Sequence, residues 1–217
     1  MKTYDNIFFD LDGTLTDSGP GIMNGVRYAL EKLGAPALPE ATLRRFVGPP
    51  LHDSLQRFCG FPLDKAMHGV DVFREYYAVT GIYENSVYPG IDELLRALTD
   101  MGKRLFVATS KPKIMAERVL EHFDLRKYFT FVAGATLDSS LVEKKDIIAH
   151  AMKNCGAAAE NTLMVGDREH DIRGANANHM DSVGILWGYG SREELLSAGA
   201  MAVIETPMDL PEMLKNI

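Results

Sequence analysis

Short apolar runs alternate with helix-period segments along this chain, and that alternation limits the possible fold more than any other feature. The runs are Ile7-Phe8-Phe9, Leu105-Phe106-Val107-Ala108, Phe131-Val132-Ala133, Leu163-Met164-Val165, Val183-Gly184-Ile185-Leu186 and Ala202-Val203-Ile204. They are apolar throughout rather than at alternate positions, which suits strands covered on both faces, as in a parallel sheet. Between them Ile91, Leu94, Leu95, Leu98 and Met101 recur at helical spacing, and Gly102 stops that helix. Ile114, Met115, Val119 and Leu120 give a second helical face; Ile147, Ile148, Ala151 and Met152 give a third. Strand alternating with helix predicts an α/β fold, a Rossmann-like doubly wound parallel sheet.

One stretch breaks the alternation. From about Asp17 to Val87 there are helical patterns but no convincing strand, with breaks at Gly34-Ala35-Pro36, Gly48-Pro49-Pro50 and Gly60-Phe61-Pro62. That length is enough for a small domain. Tyr88-Pro89-Gly90 marks the return with turn residues. The expected layout is an α/β core of residues 1–16 and 88–217, interrupted by an inserted small α-helical cap of residues 17–87. Hinges are expected near Thr16 to Ser18 and Asn85 to Pro89.

With 46% hydrophobic and 24% charged residues among 217, the chain reads as a soluble globular protein. Its formal net charge of -7 gives no electrostatic footprint for nucleic acid or an anionic membrane, so a negatively charged substrate needs a local positive site. No basic apolar leader opens the chain and no apolar run approaches membrane-spanning length, which makes a cytoplasmic location the expectation. Cys59 and Cys155 have no metal-binding spacing and read as free thiols. A monomer and a homodimer both fit.

In open parallel sheets ligands bind beyond the carboxyl ends of the strands, and the residues there are unusual. The first strand runs into Asp10-Leu11-Asp12-Gly13-Thr14, the second into Thr109-Ser110-Lys111, and the fourth into Gly166-Asp167 with Asp171 four residues on. Carboxylates brought together repel one another unless a cation or protons intervene. Oxygen donors without His or Cys point to a hard dication, Mg2+ rather than Zn2+. A carboxylate can attack phosphorus and split a hard hydrolysis into two easier steps. A second acid two residues away can protonate the leaving oxygen and later take a proton from water. Thr109, the Ser110 backbone amide and a lysine from Glu143-Lys144-Lys145-Asp146 can surround the phosphoryl oxygens.

Asp10-Leu-Asp-Gly-Thr-Leu-Thr-Asp-Ser and the later elements in the same order resemble the haloacid dehalogenase superfamily of phosphohydrolases, across nearly the whole chain. The resemblance implies that Asp10 is the nucleophile, Asp12 the general acid/base and Thr109 the second-motif hydroxyl. It implies Lys144, with Lys145 as the other register, for the third motif, and Asp167 and Asp171 for the fourth. It also implies magnesium held by Asp10, by the backbone carbonyl of Asp12 and by Asp167, with Asp171 supporting. Phosphate is expected against Gly13, Thr109, Ser110 and Lys144. Dehalogenating members lack the second aspartate, so Asp12 argues for phosphate chemistry. The helical insert is similar to that of phosphoglycolate phosphatases, β-phosphoglucomutases and certain 5'-nucleotidases. Trp187-Gly188-Tyr189-Gly190 and Glu193-Glu194-Leu195 look most like the first and last of these.

The expected activity is hydrolysis of a small phosphorylated metabolite, phosphoglycolate or a nucleoside monophosphate. Arg45, Gly48, Pro49 and His52 of the insert are candidates for reading the rest of the substrate. Two other readings stay open. A phosphoglucomutase-like enzyme would pass the same phosphoryl group to a sugar hydroxyl. A receiver-like phospho-acceptor also gathers acids and a threonine at strand ends, but it is about half this length and has no helical insert. An isolated Asp-x-Asp could merely end a strand in a turn, and Lys144 alone could be a surface lysine. Their order along the chain argues for the site. His170 has no required role and is expected to be solvated.

Overall fold

Asn6–Phe9 (β1) is buried at all four positions, so both of its faces meet the interior. In the computed structural model, which describes residues 3–138 and 140–216, it lies inside a six-stranded parallel sheet. In chain order the elements are Thr16–Asp17 (β2), Gly19–Lys32 (α1), Glu40–Leu43 (α2), Leu51–Cys59 (α3), Leu63–Tyr77 (α4), Ser86–Val87 (β3), Ile91–Asp100 (α5) and Arg104–Pro112 (β4). There follow Lys113–His122 (α6), Phe129–Ala135 (β5), Lys144–Cys155 (α7), Thr162–Gly166 (β6), Glu169–Ala177 (α8), Asp181–Ile185 (β7), Arg192–Ser197 (α9), Ala202–Ile204 (β8) and Asp209–Lys215 (α10). Three-residue 3-10 turns at Arg44–Phe46, Gly81–Tyr83, Arg126–Tyr128 and Ala159–Asn161 fill some of the connections.

The sheet order is β5-β4-β1-β6-β7-β8. From β1 the chain winds outward through β4 and β5, then returns to the other side of β1 for β6, β7 and β8. The winding reverses between β1 and β6, the switch point at which such sheets bind ligands. Register aligns the strand ends. Phe9 pairs with Val107 on one side and with Val165 on the other, so Asp10, Thr109 and Asp167 all emerge at the same edge.

Alternation along β1 builds both halves of the core. Phe8 faces α7 and α8 and packs with Phe106, Ala108, Met164, Ile147, Ile148 and Ala175, its ring 4.9 Å from that of Phe106. Phe9 points to the opposite face and meets Phe129 edge-on at 6.4 Å. Burying a side chain of this kind contributes about 1.5–3 kcal/mol, so the strand that carries the first aspartate is strongly anchored.

The chain forms two compact units, Met1–Thr16 with Val87–Ile217, and Asp17–Ser86. Within the second, α1 packs along α4, with Tyr28 5.6 Å from Tyr76 and Phe73 stacked on Tyr77. The sequence of this stretch carries no strand pattern. β2 and β3 pair at the two crossings between the units, each only two residues long and so without a readable alternation. Cys59 and Cys155 are free thiols. Among the described residues no helix is long and apolar enough to cross a membrane.

Candidate active site

Beyond β1 the chain turns back within six residues. The carbonyl of Leu11 accepts the backbone N–H groups of Thr14, Leu15 and Thr16 at 2.9 to 3.2 Å, and Gly13 N–H donates to the Thr16 carbonyl at 2.8 Å. This reversal buries the Asp10 and Asp12 carboxylates at the strand edge. Gly13 adopts φ +84, and a Cβ there would lie 2.4 Å from Asp167 Oδ2, so the position admits glycine on two counts.

Lys144, in the first turn of α7, supplies the central cation. Its Nζ lies 2.9 Å from Asp10 Oδ1 and 2.7 Å from Asp171 Oδ1, and donates to the Ala108 carbonyl at 3.1 Å. The ammonium thus sits against two buried carboxylates and one backbone carbonyl. Burial opposes the charge on Lys144, but Asp10 and Asp171 outweigh it and hold its pKa above the usual lysine value. Asp10 Oδ1 also accepts the Leu11 N–H at 2.8 Å, while Oδ2 has no hydrogen-bond donor among the described residues. Burial raises the Asp10 pKa from 3.8 to about 6, Lys144 opposing the rise and Asp171 adding to it. Asp171 Oδ2 accepts the Arg168 N–H at 3.1 Å, so this aspartate caps α8 while it braces Lys144. Lys145 is exposed; the lysine that the fold turns inward is Lys144.

Asp167 lies between two loops far apart in sequence. Thr14 Oγ1 donates to its Oδ1 at 3.3 Å and the Tyr189 N–H to its Oδ2 at 2.8 Å. Trp187 Nε1–H donates to the Thr14 carbonyl at 2.9 Å, tying the loop after β7 to the loop after β1. Gly188 fits between them: a Cβ there would lie 2.3 Å from the Gly13 carbonyl oxygen and 2.5 Å from Asp167 Cβ. Burial holds the Asp167 pKa well above the ordinary carboxylate range, with Asp171 and Asp10 adding repulsion.

Asp12 has a partner, Lys111, that stands in the sequence only as part of a strand end. Lys111 Nζ donates to both Asp12 oxygens at 2.8 Å. Thr109, two residues earlier on β4, is buried, and its Oγ1 accepts the Lys111 N–H at 3.2 Å. The signal was present. Residues two apart on a strand point to one face, so a site role for Thr109 drew Lys111 toward the same edge.

Residues 7–185 match the model of the haloacid dehalogenase-like hydrolase family. The chain belongs to the haloacid dehalogenase-like hydrolases, as one of their phosphatases. A protein of Pseudomonas aeruginosa named 5'-nucleotidase is 44% identical over 192 residues, covering 88% of this chain and 87% of its own. A Mycobacterium tuberculosis protein named tyrosine-protein kinase PtkA is 40% identical over 208 residues, covering 95% of this chain and 70% of its own. Among solved structures, that of a predicted phosphatase from Clostridium acetobutylicum superposes with a TM-score of 0.96 at 40% identity, covering 99% of this chain and all of that one.

The phosphatase has a donor set that fits a hard dication. Asp10, Asp167 and Asp171 are all buried and offer carboxylate oxygens within 4.8 Å of one another. Lys144 pairs with two of these three acids, and burial leaves Asp10 and Asp167 with raised pKa values. A divalent cation with oxygen preference removes that excess negative charge. Magnesium fits this set.

Four of the other expected site residues of the phosphatase, Arg45, Gly48, Pro49 and His52, lie in the helical unit. Arg45 is exposed, with its guanidinium carbon 4.5 Å from the Phe58 ring centroid. His52 is half-buried, with Nε2 3.3 Å from Asp53 Oδ1. Gly48 and Pro49 are half-buried in the turn before α3. Ser110 is half-buried at the end of β4. His170 is half-buried rather than solvated, because it lies in the first turn of α8, and burial lowers its pKa.

Proposed function

We propose that this phosphatase hydrolyses a small phosphate monoester in two steps through an aspartyl-phosphate on Asp10, with magnesium bound, and that its favoured substrate is a nucleoside 5'-monophosphate. The observation that carries the reading is the asymmetry of Asp10: Lys144 and the Leu11 amide hold one oxygen, and the other receives no hydrogen bond among the described residues. A carboxylate fixed through Oδ1 presents Oδ2 for attack on phosphorus.

Asp12 protonates the leaving oxygen as the ester bond breaks, then takes a proton from the water that hydrolyses the acyl phosphate. Thr109 Oγ1, the Ser110 N–H, the Gly13 loop and Lys144 receive the phosphoryl oxygens. Magnesium would be held by Asp10, the Asp12 carbonyl and Asp167, with Asp171 in support, and would neutralise charge shared between the acids and the phosphate. The relative named 5'-nucleotidase, at 44% identity, favours a nucleoside monophosphate over phosphoglycolate, the other substrate that the sequence resemblance suggests.

The test is magnesium-dependent phosphate release across nucleoside 5'-monophosphates, phosphoglycolate and sugar phosphates, with Asp10→Asn as the blank. Release that is fastest from a nucleoside monophosphate, and lost on chelation, supports the reading. Transfer of the phosphoryl group to a sugar hydroxyl or a protein tyrosine, with none to water, contradicts it.

A further inference from the structure

The two buried lysines of the site pair with three of its four carboxylates. Lys144 pairs with Asp10 and Asp171; Lys111 grips Asp12 through both oxygens at 2.8 Å. The side chains of Lys111 and Asp12 are 3% and 10% exposed. Desolvating two charges opposes folding, and a well-packed apolar pair often does as well or better, so stability alone gives little reason for this pair. Lys111 is also tied by its own N–H to Thr109 Oγ1, which fixes the backbone from which its side chain extends.

We propose that Lys111 is a positioning residue for the second half-reaction, holding the Asp12 carboxylate in the plane from which it accepts a proton from the attacking water. The inference rests on the reading of Asp10 as nucleophile and Asp12 as acid/base. In that step the water oxygen bonds to phosphorus and the bond from phosphorus to Asp10 Oδ2 breaks, its electron pair returning to Asp10. One water proton passes to Asp12 and the other leaves with hydrogen phosphate. A carboxylate gripped through both oxygens cannot swing about its side-chain torsions. Without Lys111 it loses its aim, and misplacement by about 1 Å costs on the order of 10²-fold in rate.

The experiment is stopped-flow hydrolysis of 4-nitrophenyl phosphate by the full chain in excess magnesium. This leaving group departs without a proton, so nitrophenolate release reports formation of the phosphoenzyme and the steady state reports its breakdown. For Lys111→Met the expected result is a burst approaching one nitrophenolate per chain at a nearly unchanged first-turnover rate, followed by turnover slowed by about 10²-fold. Asp12→Asn should give the same burst, and Lys111→Arg, which keeps a two-pronged cation, should restore most of the turnover. If Lys111→Met does not fold, Lys111→Gln takes its place. A first turnover slowed as much as the steady state, or no change at all, overturns the proposal while Asp12→Asn still bursts. If Asp12→Asn gives no burst either, the two-step reading itself is wrong and the role of Lys111 falls with it.

Discussion

Lys144 forms ion pairs with two buried aspartates and donates to the Ala108 carbonyl. Removing one partner of a buried ion pair leaves charge without compensation, at a cost of about 3–5 kcal/mol. Lys144→Met should therefore lower the metal-free unfolding free energy at pH 7 by that order, as urea denaturation would measure. A loss under about 1 kcal/mol would place the ammonium outside the balance of charge described here. The sequence displayed Asp10, Asp12, Asp167 and Lys144 because a strand end or helix start fixes each of them locally. It did not display the pairing of Lys111 with Asp12. Their side chains meet across 99 residues, and nothing local says which acid a strand-end lysine will reach. His170 differs from expectation for a related reason: half-burial in the first turn of α8 depends on what packs there, and residue type does not report it.

At the scale of elements, the six long strands were readable because their apolar runs are continuous, and their parallel order follows from the helices between them. Less readable was the loop after β7. The Tyr189 amide, the Trp187 indole and the close fit of Gly188 join it to residues 13, 14 and 167, and contacts between distant loops leave no periodic mark. This joint makes a prediction of its own. Gly188→Ala would push Asp167 and the Gly13 loop apart, and magnesium affinity measured by isothermal titration calorimetry should fall by at least about tenfold, equivalent to about 1.4 kcal/mol. Trp187→Phe removes one hydrogen bond, worth about 1 kcal/mol of stability, and should weaken the metal less. Equal affinities in Gly188→Ala and the parent chain would mean that the loop does not set the position of Asp167.

For the whole molecule, the buried acids make stability depend on pH and on metal together. Asp10 has its pKa raised from 3.8 to about 6 on folding, so between those values the folded chain binds more protons than the unfolded one. Stability of the metal-free protein contributed by this group is therefore greatest below about pH 4 and declines as pH rises through 6. The raised pKa of Asp167 acts in the same direction. Magnesium bound only by the folded state adds RT ln(1 + [Mg]/Kd), about 2.7 kcal/mol at a hundred times Kd. For a chain of this size that is on the order of 5–11 °C in Tm. Differential scanning fluorimetry should show the magnesium shift growing from pH 5 to pH 7.5 and shrinking sharply in Asp167→Asn. A shift independent of pH and of Asp167 would disconnect the metal from these acids.

The most direct test concerns the covalent intermediate. Asp12→Asn protein is quenched during reaction with 4-nitrophenyl phosphate and magnesium, then reduced with borohydride, which converts an aspartyl phosphate to homoserine. Mass spectrometry of the peptide carrying residue 10 should find homoserine at that position, absent without substrate and absent when Asp10→Asn is added. Unmodified aspartate at position 10 in protein that has released nitrophenolate, or homoserine at another aspartate, would contradict the assignment of Asp10 as the nucleophile.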